Sequence, residues 1–198
     1  MRRVVRSDYY FEKPGPGNTK DVVEAVSKRL EETGIRTLVA ASDSGETTLE
    51  LGKKIGGRTK LIVISMKTVK KDIRSTLERM GAVIYENCIP AFRAKNLECM
   101  KNTYYTLGQG FKVAVEVVSM AASKGAVKSG EDVIGVGGTG EGVDTALIVR
   151  PHLPKIYWER ISGNDWRYAR LSPCLASKNG GRKPVTLENL KEMVLNSF

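Results

Sequence analysis

Five short apolar runs set the terms for this chain: Thr37–Ala41, Leu61–Ile64, Ala82–Tyr85, Val133–Val136 and Thr145–Val149. Each is the length of a buried strand, and stretches of helical periodicity separate the first four. Strands that alternate with helices build a mostly parallel sheet covered on both faces. The expected fold is therefore α/β, a three-layer sandwich around a mostly parallel five-stranded sheet. Only Gly137 to Asp144 joins the fourth run to the fifth, which is too short for a helical crossover. The last strand should thus run antiparallel to its predecessor.

The helices between the runs carry recognisable ends. Asn18 with Asp21 reads as an N-cap and an acidic first turn, Val22, Val23, Val26 and Leu30 line one face, and Gly34 supplies the stop. A second helix is capped by Ser44 and ends at Gly56-Gly57. A third runs from about Val69 through Ile73, Leu77 and Met80 to Gly81. Phe92 to Thr106 is weakly helical, and Phe111 to Ser123 is apolar nearly all round, as a helix buried between layers should be. After Pro151 the character changes. Trp158 and Trp166 flank the turn residues Ser162-Gly163-Asn164-Asp165, Gly180 to Pro184 is a loop, and Thr186 caps a short last helix. The expected division is a domain over 1–151 and an appendage over 152–198, a hairpin plus a helix packing on the domain or on a neighbouring subunit of a homo-oligomer.

Composition narrows the function. The longest apolar stretch, Phe111 to Ala122, is broken by Lys112, Glu116 and Ser119 and falls short of the about 20 residues that span a bilayer. With no apolar leader after Met1-Arg2-Arg3, a cytoplasmic location is expected and no membrane contact. Three scattered cysteines and a single histidine, His152, argue against a zinc site and for reduced structural thiols. The net charge is +10, and between Lys53 and Arg79 nine basic residues face only Asp72 and Glu78. Such a stretch reads as a solvated face, as attraction for an anionic small molecule, or as a nucleic-acid footprint.

Two polar loops should meet at the carboxyl end of the sheet, where open α/β folds bind ligands. In the first, Ser42, Asp43, Ser44, Gly45, Glu46 and Thr47 join a strand to a helix. Hydroxyls and free N–H groups at a helix start suit a phosphate, although Ser, Thr and Asp are also ordinary caps. The second runs Gly137-Gly138-Thr139-Gly140-Glu141-Gly142. With Gly135 it matches GxGxxG, but it leads into a strand late in the chain and not into a helix, so a dinucleotide fingerprint is rejected. It reads as a lid whose amides face a ligand, or simply as a turn. No GK[ST] follows either loop, which excludes a P-loop NTPase. Glu46 and Asp144 flank the loops as an acid or base, or as hydrogen-bond partners of ligand hydroxyls.

The two loops, in this order, resemble those of the C-terminal domain of pyruvate kinase. A closer resemblance is to stand-alone archaeal proteins of the pyruvate kinase α/β-domain type. It is carried by Tyr10 to Gly15, Ser44-Gly45-Glu46-Thr47, Gly108 to Val113 with Val115-Glu116, and Gly137-Gly138-Thr139 through Leu147. That family lacks the catalytic domain of pyruvate kinase, and the resemblance implies binding of a phosphorylated cofactor, flavin mononucleotide first. The implied contacts are Ser42 to Thr47 for the phosphate, with Gln109, Gly110, Lys112, Gly137, Gly138, Thr139, Asp144 and Thr145 around the remainder. Glu46 stands where pyruvate kinase has an arginine, and Met66 to Lys70 replaces the family's His-containing segment after the second strand. The readings to be weighed are a flavin mononucleotide or phosphometabolite binder, a nucleic-acid or ribonucleoprotein-associated protein using Lys53 to Arg79, and an enzyme of unidentified chemistry in the same cleft.

Overall fold

The computed structural model describes residues 8–93, 97–151 and 172–177. Its strands are β1 (Tyr9–Phe11), β2 (Thr37–Ala41), β3 (Lys60–Ile64), β4 (Val83–Tyr85), β5 (Val133–Gly137), β6 (Thr145–Val149) and β7 (Ser172–Ser177). The helices are α1 (Thr19–Thr33), α2 (Glu46–Ile55), α3 (Lys71–Arg79), α4 (Glu98–Tyr105) and α5 (Gln109–Ser123). All five expected strands form, in the order β6-β5-β2-β3-β4. β2, β3, β4 and β5 run parallel, and β6 lies antiparallel to β5 with Gly137 opposite Thr145. Two further strands extend the sheet beyond β6 to seven: β7 pairs with β6, and β1 pairs with β7. The expected tail hairpin around Trp158 and Trp166, His152 and the helix from Thr186 lie outside the described residues.

Strand alternation sorts the core into two layers. Leu38 and Ala40 of β2 face α1, α2 and α3 through Val26, Leu51 and Leu77, while Val39 faces α5 through Ala114 and Val118. Leu38, Val39, Leu51, Leu77 and Val118 are wholly buried, each worth about 1.5–3 kcal/mol of hydrophobic transfer. α5 lies close on the sheet because the sheet has glycine beneath it. A Cβ on Gly135 would fall 2.7 Å from the Ala114 carbonyl oxygen, and one on Gly137 2.5 Å from that of Gly110.

The stop of α1 follows the sequence, whereas the starts of α1 and α2 do not: Gly45 takes the N-cap position expected of Ser44. Gly34 closes α1 in the left-handed region at φ 70°, its N–H donating to Leu30. Asn18 does not cap that helix, because its side-chain amide donates to the Lys13 carbonyl at 2.7 Å. The chain instead enters α1 through a 3-10 turn at Pro16–Asn18, with Pro supplying the helical φ.

Candidate functional site

β2 is where the sheet changes direction. The chain leaves it through α2 toward β3, and returns from β4 through α5 to β5 on its other side. The ends of β2 and β5 are neighbours, with Ala40 paired to Val136. α2 begins on one face of this switch point and α5 on the other. Two helices of ten and fifteen residues thus begin at the same end of the sheet, each with its positive dipole end forward.

The Ser42 to Thr47 turn is held from within. Ser42 Oγ accepts the Gly45 N–H at 3.1 Å, and Ser44 Oγ accepts the Glu46 N–H at 3.3 Å. Thr48, fully buried, donates its hydroxyl to the Gly45 carbonyl. Each serine that accepts a backbone N–H still has its own hydroxyl proton to give. Among the described residues no acceptor takes the hydroxyl protons of Ser42, Ser44 or Thr47. Gly45 has a structural reason of its own. At φ +87° it begins α2, and a Cβ there would fall 2.7 Å from both Ile73 and Val69.

The segment after β3 leans onto this turn. Asp43 Oδ1 accepts the Met66 N–H at 3.0 Å, and its other oxygen lies 3.8 Å from Lys67 Nζ. Lys70 Nζ donates to Glu46 at 2.8 Å. That hydrogen bond, and then the carboxylate's charge, holds the Lys70 ammonium above the usual lysine value. Glu86, nearly buried, accepts the Val69 N–H and pairs with Arg74, which fixes the entry to α3.

The glycine loop is arranged differently. Asp144 is fully buried, and its carboxylate accepts the N–H of Gly15 at 3.1 Å, the N–H of Thr139 at 3.0 Å and the hydroxyl of Thr145 at 2.8 Å. It ties together the segment before α1, the loop and β6. Val143 N–H donates to Thr19 Oγ1, and Gly142, at φ +70°, packs where a Cβ would meet Pro16 and Thr19. Between the two earlier readings of this loop, lid or turn, the geometry is that of a tight turn joining antiparallel strands. Gly110 sits over Asp144 and Thr145 with no room for a Cβ.

The expected residues therefore separate. Ser42 to Thr47, Gln109, Gly110 and Gly137 to Thr139 come to one end of the sheet. Asp144 and Thr145 lie buried beneath it with their polar atoms engaged. Lys112 turns away: its ammonium, 2.6 Å from Glu116, lies in a buried pair on α5, and Glu116 also accepts the Phe92 N–H. Sequence reasoning missed Thr19 and the role of Gly15, whose partners lie more than 120 residues away. It also missed the pairing of Lys67 and Lys70 with the turn, although both belong to the basic stretch.

That stretch divides by position. Lys67, Lys70 and Arg74 each face a carboxylate at the carboxyl end of the sheet. Lys54 and Arg58, with Arg36 and Glu31, line a hollow of about 200 Å³ at the opposite end. Among the described residues no group of three His, Cys, Asp or Glu is placed to hold a metal ion, and no helix is long and apolar enough to cross a membrane.

No protein-family model matches the chain. Among solved structures it is similar to pyruvate kinases of Cryptosporidium parvum. One, in complex with ADP, is 13% identical with a TM-score of 0.41, covering 67% of this chain and 23% of that one. Two others are 14% identical with TM-scores of 0.42 and 0.40, each covering 67% of this chain and 22% of the other. The chain spans less than a quarter of the length of these enzymes. A likeness of this order carries nothing about ligand or activity.

Proposed function

We propose that this domain binds a phosphorylated small molecule at Ser42 to Thr47, with flavin mononucleotide as the first candidate. One observation carries the reading. Three hydroxyls with protons to give stand around the start of α2, at a switch point where a second helix also presents its N-terminus. Hydroxyl and backbone donors of this kind, backed by a helix dipole, are what a phosphate group requires. The flavin rests on the sequence resemblance to the stand-alone archaeal proteins. A small ligand is favoured over a nucleic acid because the basic residues of Lys53 to Arg79 are divided between opposite ends of the sheet. Flavin mononucleotide should bind with micromolar affinity, roughly −8 kcal/mol, and riboflavin much more weakly for want of the phosphate. Fluorescence quenching titrations with both ligands decide this. Equal affinities would take the turn out of the site, and binding of neither would exclude the flavin.

A further inference from the structure

The turn holds two carboxylates, Asp43 and Glu46, where an incoming phosphate would meet α2. Two negative charges at that position would cancel the attraction of the helix dipole, which amounts to about half a charge. Neither carboxylate stands uncovered. Lys70 reaches Glu46 at 2.8 Å and Lys67 approaches Asp43 at 3.8 Å, both from the segment between β3 and α3. Both ammonium groups remain largely open to solvent, with side chains 61% and 76% exposed. An ammonium has three N–H donors, so one that serves a carboxylate can still serve a phosphate oxygen.

We propose that Lys67 and Lys70 supply the phosphate-recognising charge of this site, and that Asp43 and Glu46 act as their resting counter-ions. The inference rests on the phosphate reading of the turn and deepens it. The matched ligand class is a phosphate monoester. A monoester presents three oxygens to the hydroxyls and the two ammoniums, where a phosphodiester presents two.

The variants make opposite predictions. Lys67→Ala with Lys70→Ala should weaken flavin mononucleotide binding at least tenfold and flatten its dependence on salt, since fewer charges meet the ligand. Glu46→Gln removes the competing carboxylate and should tighten binding severalfold. Lys53→Ala with Lys54→Ala removes the same net charge at the far end of the sheet and should change affinity less than twofold. All five residues are exposed, and urea unfolding of each variant checks that the fold is kept. Unchanged affinity in the Lys67/Lys70 variant, alongside a loss in Ser44→Ala with Thr47→Ala, would overturn this assignment and leave the phosphate turn standing. An equal loss from the Lys53/Lys54 variant would reduce the effect to net charge and also overturn it. Failure of the wild-type protein to bind either flavin mononucleotide or inorganic phosphate would remove both readings together.

Discussion

The two loops at the carboxyl end of the sheet look alike in sequence, both rich in small residues, yet they use those residues for different purposes. In the glycine loop a buried carboxylate acts as an internal clamp and the glycines serve close packing. Asp144 satisfies two backbone N–H groups and a hydroxyl, and Gly137, Gly138 and Gly142 are positions where a Cβ would strike neighbouring backbone. In the Ser42 to Thr47 turn the serines accept backbone N–H groups and keep protons to donate. The difference teaches that glycine density marks close packing at least as readily as it marks a ligand. The better indicator of a site is a polar group whose hydrogen-bonding capacity the fold has not used.

Substitutions can break or sharpen this contrast. The largest effect should come from Asp144→Ala, which leaves the Gly15 and Thr139 N–H groups without their charged acceptor. Each such bond is worth about 1.5–3 kcal/mol, so urea unfolding should show a loss of about 3 kcal/mol or more. Full retention of stability would mean that the carboxylate is not a clamp and is free to serve a ligand. Gly45→Ala asks whether the phosphate turn has its own packing glycine. The positive φ and the overlap with Ile73 and Val69 should cost about 2 kcal/mol in the same assay. The smallest effect concerns the Lys70 pair. A lysine whose pKa is raised on folding stabilises the fold below its unfolded value of about 10.4, and the contribution disappears as pH rises through the folded value. Exposed pairs contribute little. Wild type and Lys70→Met should therefore differ slightly in urea midpoint at pH 8 and converge as pH rises through the folded value. A difference that grows with pH would show that the pair does not behave as an ion pair.

The central sheet was legible because β2, β3 and β5 are buried on both faces and read as continuous apolar runs. The antiparallel turn into β6 was legible from loop length alone. β1 and β7 were not: β1 is three residues long with both tyrosines half exposed, and its partner lies over 160 residues away. α5 starts at Gln109, two residues before the apolar pattern begins at Phe111, because Gln and Gly contribute no periodic signal. Ser42 to Thr47 could be picked out as candidate ligand contacts since hydroxyls and a glycine at a strand-to-helix turn are a local pattern. Lys112 was expected at the ligand because it lies at the start of the buried helix, whereas its ammonium pairs with Glu116 one turn along α5. The covering of Asp43 and Glu46 by Lys67 and Lys70 depends on strand pairing between β2 and β3, which no local pattern reports.

The most direct test measures binding and stability together in Ser44→Ala with Thr47→Ala. Both hydroxyls lie at the start of α2, and neither donates to the protein, so unfolding should move by less than about 1 kcal/mol, the usual worth of a lost cap. Flavin mononucleotide affinity should fall by tenfold or more, as the loss of hydrogen bonds to a charged group requires. Unchanged affinity in a folded double variant would contradict the assignment of this turn as the phosphate site.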